Sequence, residues 1–451
     1  MRVKMILPAL TEAKSVYWRA IKYSLFPPLG LAALAGYLSK DDEVVIEDEH
    51  IEELNLEDTP DVVVIQVYVT SAYRAYSLAD HYRKKGVYVC LGGLHVTALP
   101  REALSRADSI FLGPGEASWP KFLEDFRAGR PQRVYLSKER SLEGMPEIRR
   151  DLIKSGLYLI PNSIVVSRGC PHSCDFCYKE GFFKGGKFFY TQTVDAALRE
   201  INRLPGRHLF FLDDNLFGNE QFALGLFNGM KGMKRIWQAA GTVQAVLNSS
   251  ILEKAAQSGM RSLFIGFETL HPGNLREHRK YSNVNRDYSE AIKRLHALGV
   301  MVNGSFVFGM DNDDKEVFNR TVDWALSMGI ETATFHILTP YPGTRLYERV
   351  KKQNRLLHTD WDKYDTRHCV FLPLKMKVEE LEQGYWRAYK NFYRWRSICR
   401  AAFTKDSLLE KIRHLAYAGG WKKMEPVWSW AIRWKQVKRM LPLLETVLSG
   451  G

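Results

Sequence analysis

Ser167-Arg-Gly-Cys-Pro-His-Ser-Cys-Asp-Phe-Cys-Tyr178 carries three thiols, Cys170, Cys174 and Cys177, at the spacing C-x3-C-x2-C. Thiolates this close can hold three corners of a four-iron four-sulfur cluster and leave the fourth iron without a protein ligand. A structural zinc site would need a fourth ligand. The adjacent His172 could be one, but zinc ligands more commonly come as paired C-x2-C units. A disulfide with a spare thiol suits a reducing compartment poorly. Cys90, Cys369 and Cys399 have no such grouping and read as plain buried thiols, Cys369 being the one to watch.

The cysteine loop sits at the end of an apolar run, Ser163 to Ser167, and similar runs follow at His208 to Leu212, Ile236 to Ala239, Ser262 to Gly266, Met301 to Phe308 and Thr332 to Leu338. Segments of helical spacing lie between them, at Val194 to Arg203, Ile251 to Gly259, Tyr288 to Leu298 and Lys315 to Met328. Six such units predict a partial (β/α)6, TIM-like barrel over 161–350, with its chemistry at the carboxyl-terminal rim. Upstream, Val3 to Leu7, Val44 to Glu47, Val62 to Val69, Val87 to Leu91 and Ser109 to Leu112 alternate with helical stretches, which predicts a doubly wound, Rossmann-like parallel sheet over 1–130. Ligands of such sheets sit beyond the carboxyl ends of the strands. Those ends carry Thr70-Ser71, Gly92-Gly-Leu-His-Val-Thr97 and Gly113-Pro-Gly-Glu116, whose small residues let a large ligand approach the backbone. Residues 131–160 read as an irregular linker, and 351–451 as mostly helical with one extended stretch at Cys369 to Lys375.

Composition narrows the setting. Six cysteines in 451 residues make no disulfide scaffold, the opening residues hold no signal peptide, and Leu29 to Leu38 is far short of the roughly 20 apolar residues of a membrane span. A cytoplasmic protein is expected. From Leu381 to Gly451 there are 14 Lys/Arg and 5 Asp/Glu, nine of the net thirteen positive charges, interleaved with Trp386, Trp395, Trp421, Trp428, Trp430 and Trp434. A helix over Val427 to Leu441 would suit either a membrane interface, as a peripheral contact, or packing on the protein's own core. No RNA-binding module is present and the basic excess is off the barrel rim, so nucleic acid is not expected as a partner.

The open corner of a three-thiolate cluster can be chelated by the amino and carboxylate groups of S-adenosylmethionine (SAM), and an electron from the cluster can then break the sulfonium bond to release a 5'-deoxyadenosyl radical. With Phe176 before the third cysteine, the loop resembles the radical SAM superfamily. The domain bearing Phe26-Pro-Pro-Leu-Gly30, Gly92-Gly-Leu-His-Val-Thr97 and Gly113-Pro-Gly-Glu116 looks like that of its cobalamin-binding, class B methylase-like members. Asp360-Trp-Asp-Lys-Tyr-Asp365, Gly384-Tyr-Trp-Arg387 and Phe392-Tyr393 are similar to the branch containing the hopanoid methylases.

The resemblance implies a C-methyltransferase that methylates an unactivated carbon of a small, hydrophobic or lipid-like molecule, using a [4Fe-4S] cluster, SAM and methylcobalamin, and fed electrons by a flavodoxin or ferredoxin. It implies Phe176, Tyr178, Asp213, Glu268, Gly304, Phe306 and Tyr341 around SAM, with Asp214 an alternative to Asp213. Around cobalamin it implies Thr70, Ser71, Gly92, Gly93, His95, Thr97, Gly113, Gly115 and Glu116. Family members that give cobalt an imidazole carry Asp-x-His-x-x-Gly after the first strand. Ala9 to Pro28 has no histidine, leaving that face to water, to nothing, or to Tyr17 or Tyr23. Chains with the same two domains also close rings or couple carbons, and a cobalamin or tetrapyrrole sensor with a structural cluster is the alternative of another class. Neither the substrate nor the catalytic residues can be read from the residues.

Overall fold

The computed structural model describes residues 1–10, 25–423 and 445–448. Six strands, β1 (Arg2–Leu7), β2 (Glu43–Asp48), β3 (Val62–Gln66), β4 (Tyr88–Gly92), β5 (Ser109–Leu112) and β6 (Val134–Leu136), form a parallel sheet in the order β2-β1-β3-β4-β5-β6. Their near-continuous apolar runs reflect burial on both faces. Val62 and Val64 pack with Trp119, Phe122 and the helix Leu29–Ala35 on one side. Val63 and Ile65 pack with Ala75, Leu78 and Tyr82 of the helix Ala72–Lys84 on the other. The strand order reverses between β1 and β3, so the loops leaving these strands diverge and open a crevice at their carboxyl ends. Five strands of this sheet are expected from the sequence. The sixth, β6, falls in the stretch read as a linker, its three residues being too few to show a period.

A second parallel sheet follows, built from β7 (Ser163–Ile164), β10 (His208–Phe211), β11 (Ile236–Gly241), β12 (Met260–Glu268), β13 (Met301–Phe308) and β14 (Thr332–Ile337) in the order β14-β13-β12-β11-β10-β7. Between β7 and β10, β8 (Ser167–Gly169) and β9 (Phe189–Thr191) form a small antiparallel pair that frames the cysteine loop. One face of the six-stranded sheet supplies Phe211, Trp237, Leu263, Ile265, Val302, Phe306 and Phe335 to the largest core cluster. The alternate positions, among them Gln238, Ser262, Asn303, Ser305, Thr334 and His336, turn mostly polar groups to the other face.

Helices after 350 cover the edge of this second sheet. Along the outer edge of β14, Tyr393 accepts from the Ala333 N–H at 3.0 Å and donates to the Ala333 carbonyl at 2.8 Å, while Tyr389 accepts from the Phe335 N–H at 3.1 Å. Two hydroxyls, from the helix Val378–Phe392 and its C-cap residue, thus satisfy backbone groups that would otherwise be an open edge. Tyr417, on the helix Leu408–Lys423, donates to Gln238 at 3.2 Å. The extended stretch expected at Cys369 to Lys375 carries a single antiparallel bridge, Leu356 to Phe371. The Cys369 thiol is buried, donates to the Phe371 carbonyl at 3.0 Å and is pushed up to about 12 by burial, as an inert core thiol would be. Tyr17, Tyr23 and the Trp-rich segment from Val427 to Leu441 lie outside the described residues. Among the described residues, no helix is long and apolar enough to cross a membrane.

Candidate active site

The cysteine loop leaves β8 through Gly169, whose φ of +76° belongs to glycine. A Cβ there would fall 1.9 Å from the Phe188 carbonyl oxygen of the paired strand. The loop is pinned at its middle residue. Asp175, its side chain 2% exposed, accepts from His278 Nδ1 at 2.8 Å and from Arg349, its N–H donates to the His278 carbonyl, and its own carbonyl receives the Leu346 N–H at 3.0 Å. His278 in turn meets the Phe176 ring edge-on at 5.9 Å. The three thiols are close enough to influence one another's charge, and Asn215 Nδ2 lies 3.8 Å from Cys170 Sγ. Burial pushes the Cys174 thiol up to about 12, against the pull of Lys280, and burial raises Cys177 against Lys179. These thiolates therefore need cationic company, which a cluster would bring. Among the described residues no three His, Cys, Asp or Glu side chains converge tightly enough for a single metal ion.

Two partly buried lysines flank this loop. Lys280 bonds Glu268 at 2.8 Å, and Lys179 lies 3.4 Å from Asp214, which also accepts from Tyr178 at 2.8 Å. Glu268 itself has φ of +65° at a register shift in β12, a strained placement at the strand's carboxyl end.

Two cavities of about 350 and 400 Å³ adjoin the loop, separated by a wall of Tyr68, Leu94, Tyr178 and Phe182. Gly30, Gly92, Gly93, Gly113, Gly115 and Glu116 line the first, opposite Arg168, Tyr178 and Asp214. Gly93, at φ of +114°, could carry no side chain: its Cβ would stand 2.8 Å from the Val67 carbonyl oxygen. Gly30 leaves the floor bare, its nearest neighbour being the Gln66 amide oxygen 3.7 Å from where a Cβ would be. Glu116 accepts from Arg168 at 2.7 Å, tying the first sheet to the cysteine loop across this cavity.

Several expected site residues stand elsewhere. Gly304 and Phe306 face the helices, not the rim; Phe306 stacks between Phe267 and Phe335, and an added Cβ on Gly304 would meet Phe306, Phe267 and Ile330. The two-residue period of β13 puts both on the apolar face. The Asp213 carboxyl faces backbone, accepting from the N–H groups of Val166 and Ser167 and the Ser167 hydroxyl, while its neighbour Asp214 lines the first cavity. His95 is fully buried, bonded to Glu102 at 3.0 Å and packed edge-on against Trp361. Thr97 donates to the Gly93 carbonyl and accepts from the Gly113 N–H, clasping the two glycine turns together. Ser71 accepts from the Tyr68 N–H, and Thr70 lines the second cavity with Tyr341. Nothing in the sequence marks Arg168, Lys280, His278 or Arg349 as neighbours of the cysteine loop. Lys179, directly after the motif, is the one whose position could have drawn attention.

Residues 164–325, which contain the cysteine loop, match the radical SAM superfamily, and residues 344–444 match a domain of unknown function, DUF4070. The chain is 31% identical over 390 residues to the bacteriochlorophyllide d C-12(1)-methyltransferase of Chlorobaculum tepidum, covering 83% of this chain and 84% of that one. It belongs to the radical SAM superfamily. The hopanoid C-2 methylase of Rhodopseudomonas palustris is 26% identical, with 80% and 72% covered. Among solved structures, the radical SAM methyltransferase TsrM from Kitasatospora setae, with cobalamin and a [4Fe-4S] cluster bound, shares the fold at a TM-score of 0.62 and 14% identity over 78% of each chain.

In this radical SAM enzyme two buried carboxyls near the rim make a pH signature. Asp213, and Asp313, which accepts from the Gly309 and Met310 N–H groups and Asn274, are pushed up to about 6 because burial outweighs their donors. Their folded values exceed the ordinary 3.8, so the stability they contribute is fully present below that value and is lost as pH rises through about 6. Urea titrations of Asp213→Asn without oxygen should therefore show a smaller loss of stability than wild type between pH 4 and 7. Parallel curves would mean that Asp213 titrates as an exposed carboxyl.

Proposed function

We propose that the protein is a cobalamin-dependent radical SAM C-methyltransferase acting on an unactivated carbon of a small molecule. In this reading residues 1–130 bind cobalamin, 131–160 cross between domains, 161–350 form the barrel, and the helices beyond 351 cover it. The carrying observation is that the glycine-lined ends of the first sheet and the residues around the cysteine loop face one another across one cavity, joined by the Glu116–Arg168 pair. Cys170, Cys174 and Cys177 would hold a [4Fe-4S] cluster, Gly30, Gly92, Gly93, Gly113 and Gly115 would bed the face of a corrin, and Tyr178 and Asp214 would stand between the two. When bound, the cluster supplies the electron that cleaves SAM and cobalamin carries the methyl group. The chain's own part is placement: Asp175, His278 and Arg349 hold the loop, and Lys179 and Lys280 balance thiolate charge. The relatives' methylations of a tetrapyrrole and a hopanoid support a small, largely apolar substrate. A flavodoxin or ferredoxin would deliver electrons.

Protein purified without oxygen from cells supplied with cobalamin should carry stoichiometric cobalt beside about four irons per chain. With substrate it should convert SAM to both 5'-deoxyadenosine and S-adenosylhomocysteine. A cluster without cobalt after reconstitution would remove the methyl carrier, and 5'-deoxyadenosine without S-adenosylhomocysteine would mean a non-methylating reaction.

A further inference from the structure

The helix Leu408–Lys423 is turned inside out. Its polar side chains point toward the barrel: Arg413 donates to the Gly299 carbonyl at 2.8 Å and to the Val447 carbonyl at 3.1 Å, the buried His414 lies 3.8 Å from Glu331, and Tyr417 donates to Gln238. The positions that succeed one another along the outer face at helical spacing, Leu408, Ile412 and Ala416, are exposed, as is Leu409 beside them. Leu408, Leu409 and Ile412 are 73%, 60% and 54% exposed, and Phe403, just before the helix, is 75% exposed. A helix resting on its own protein's core shows the opposite arrangement, and large apolar side chains gathered in solvent mark an interaction surface. Trp395, also exposed, extends this face, since a Cβ on Gly419 would stand 3.1 Å from its ring. Cations accompany the aromatic rings. Lys411 Nζ lies 5.8 Å from the centre of the Phe403 ring and Lys423 Nζ 5.9 Å from that of Trp395, while Arg394 and Arg396, on either side of Trp395, are exposed. From Arg394 to Lys423 there are 8 Lys/Arg against 2 Asp/Glu, and of those two Glu410 is engaged by the Ser407 hydroxyl at 3.0 Å. Two copies meeting through this face would set like charges against each other. A layer of anionic headgroups would instead pair with the cations and take the apolar side chains at its acyl boundary, with the lysine stems reaching back to the headgroups. The chain beyond the helix continues in the same composition, with Trp428, Trp430 and Trp434 among Arg433, Lys435, Lys438 and Arg439.

We propose that the outer face of the helix Leu408–Lys423, together with Phe403 and Trp395, docks the protein on an anionic phospholipid surface. This contact is independent of the methyltransferase reading and is measured without turnover. The full chain, purified without oxygen, is floated with vesicles of phosphatidylcholine alone or of phosphatidylcholine mixed with phosphatidylglycerol. It should bind the mixed vesicles about tenfold or more tightly than the neutral ones, and high salt should remove that preference. Leu408→Ser, Leu409→Ser and Ile412→Ser combined should weaken binding to the mixed vesicles by about tenfold or more. Arg394→Glu with Arg396→Glu should erase most of the preference for the anionic lipid. All five side chains are exposed, so urea midpoints and iron content should match wild type, which separates lost docking from lost fold. A wild-type protein that stays at the bottom of the gradient, or that binds both vesicles equally, would overturn the proposal. So would a triple serine variant that floats like wild type, because the contact would then lie outside this face. A wild-type dimer in sedimentation velocity that the triple serine change dissolves would make the face an interface between copies and would overturn it as well.

Discussion

Replacing any one of Cys170, Cys174 or Cys177 with alanine is expected to strip the cluster and drop SAM cleavage under strong reductant to the no-protein background. Two thiolates cannot hold a cubane whose fourth corner is already without a protein ligand. The iron and sulfide content of reconstituted protein, with its visible absorbance, should fall from about four irons per chain toward none. The fold should survive. Cys174 is buried, and losing one sulfur from such a site costs about 1 kcal/mol, small against a domain's stability. Equivalent changes at Cys90 or Cys369 should leave iron content untouched, because neither thiol approaches the loop. A Cys→Ala variant at 170, 174 or 177 that kept a full cluster would overturn the ligand assignment.

Asp175→Ala should be the most destabilising single change near the site, more so than loss of a cluster cysteine. Asp175 and His278 are 2% and 1% exposed, and Arg349 closes the group from the first turns of the helix Arg345–Lys352. Removing the carboxylate leaves a buried imidazole and a half-buried guanidinium without their partner, a loss of about 3–5 kcal/mol for such networks. The urea midpoint should fall accordingly, and cluster reconstitution should slow, since the middle of the loop loses its anchor. Asp175→Asn, which keeps an acceptor for His278 but not the charge for Arg349, should fall between. If Asp175→Ala unfolds at the wild-type midpoint, the loop is held by its backbone bonds alone.

The sequence shows the two sheets through their periodicity because both are parallel and buried, so each strand is a compact apolar run. The strands it missed, β6, β8 and β9, are three residues long and too short to carry a period. What the sequence leaves open within the site has one physical source. Gly304, Phe306, Asp213 and His95 have the right chemical types at the right strand ends, but which way each points depends on pairing register and on neighbours distant in the chain. One position along β13 separates Ser305, on the polar face, from Phe306, on the core face.

The cysteine loop was decided by sequence alone, because three thiols within one short loop meet whatever the rest of the chain does. The glycine turns that bed the first cavity were nearly so, since positive φ and close backbone approach exclude other residues locally. Only the tertiary structure could bring Asp175 to His278, 103 residues away, and to Arg349, 174 away, or line one cavity with Tyr68, Tyr178 and Arg367. Local bonding and sterics fix the first kind of feature. The second kind exists only after two sheets have packed, when burial decides which charges must find partners and which cavity they face.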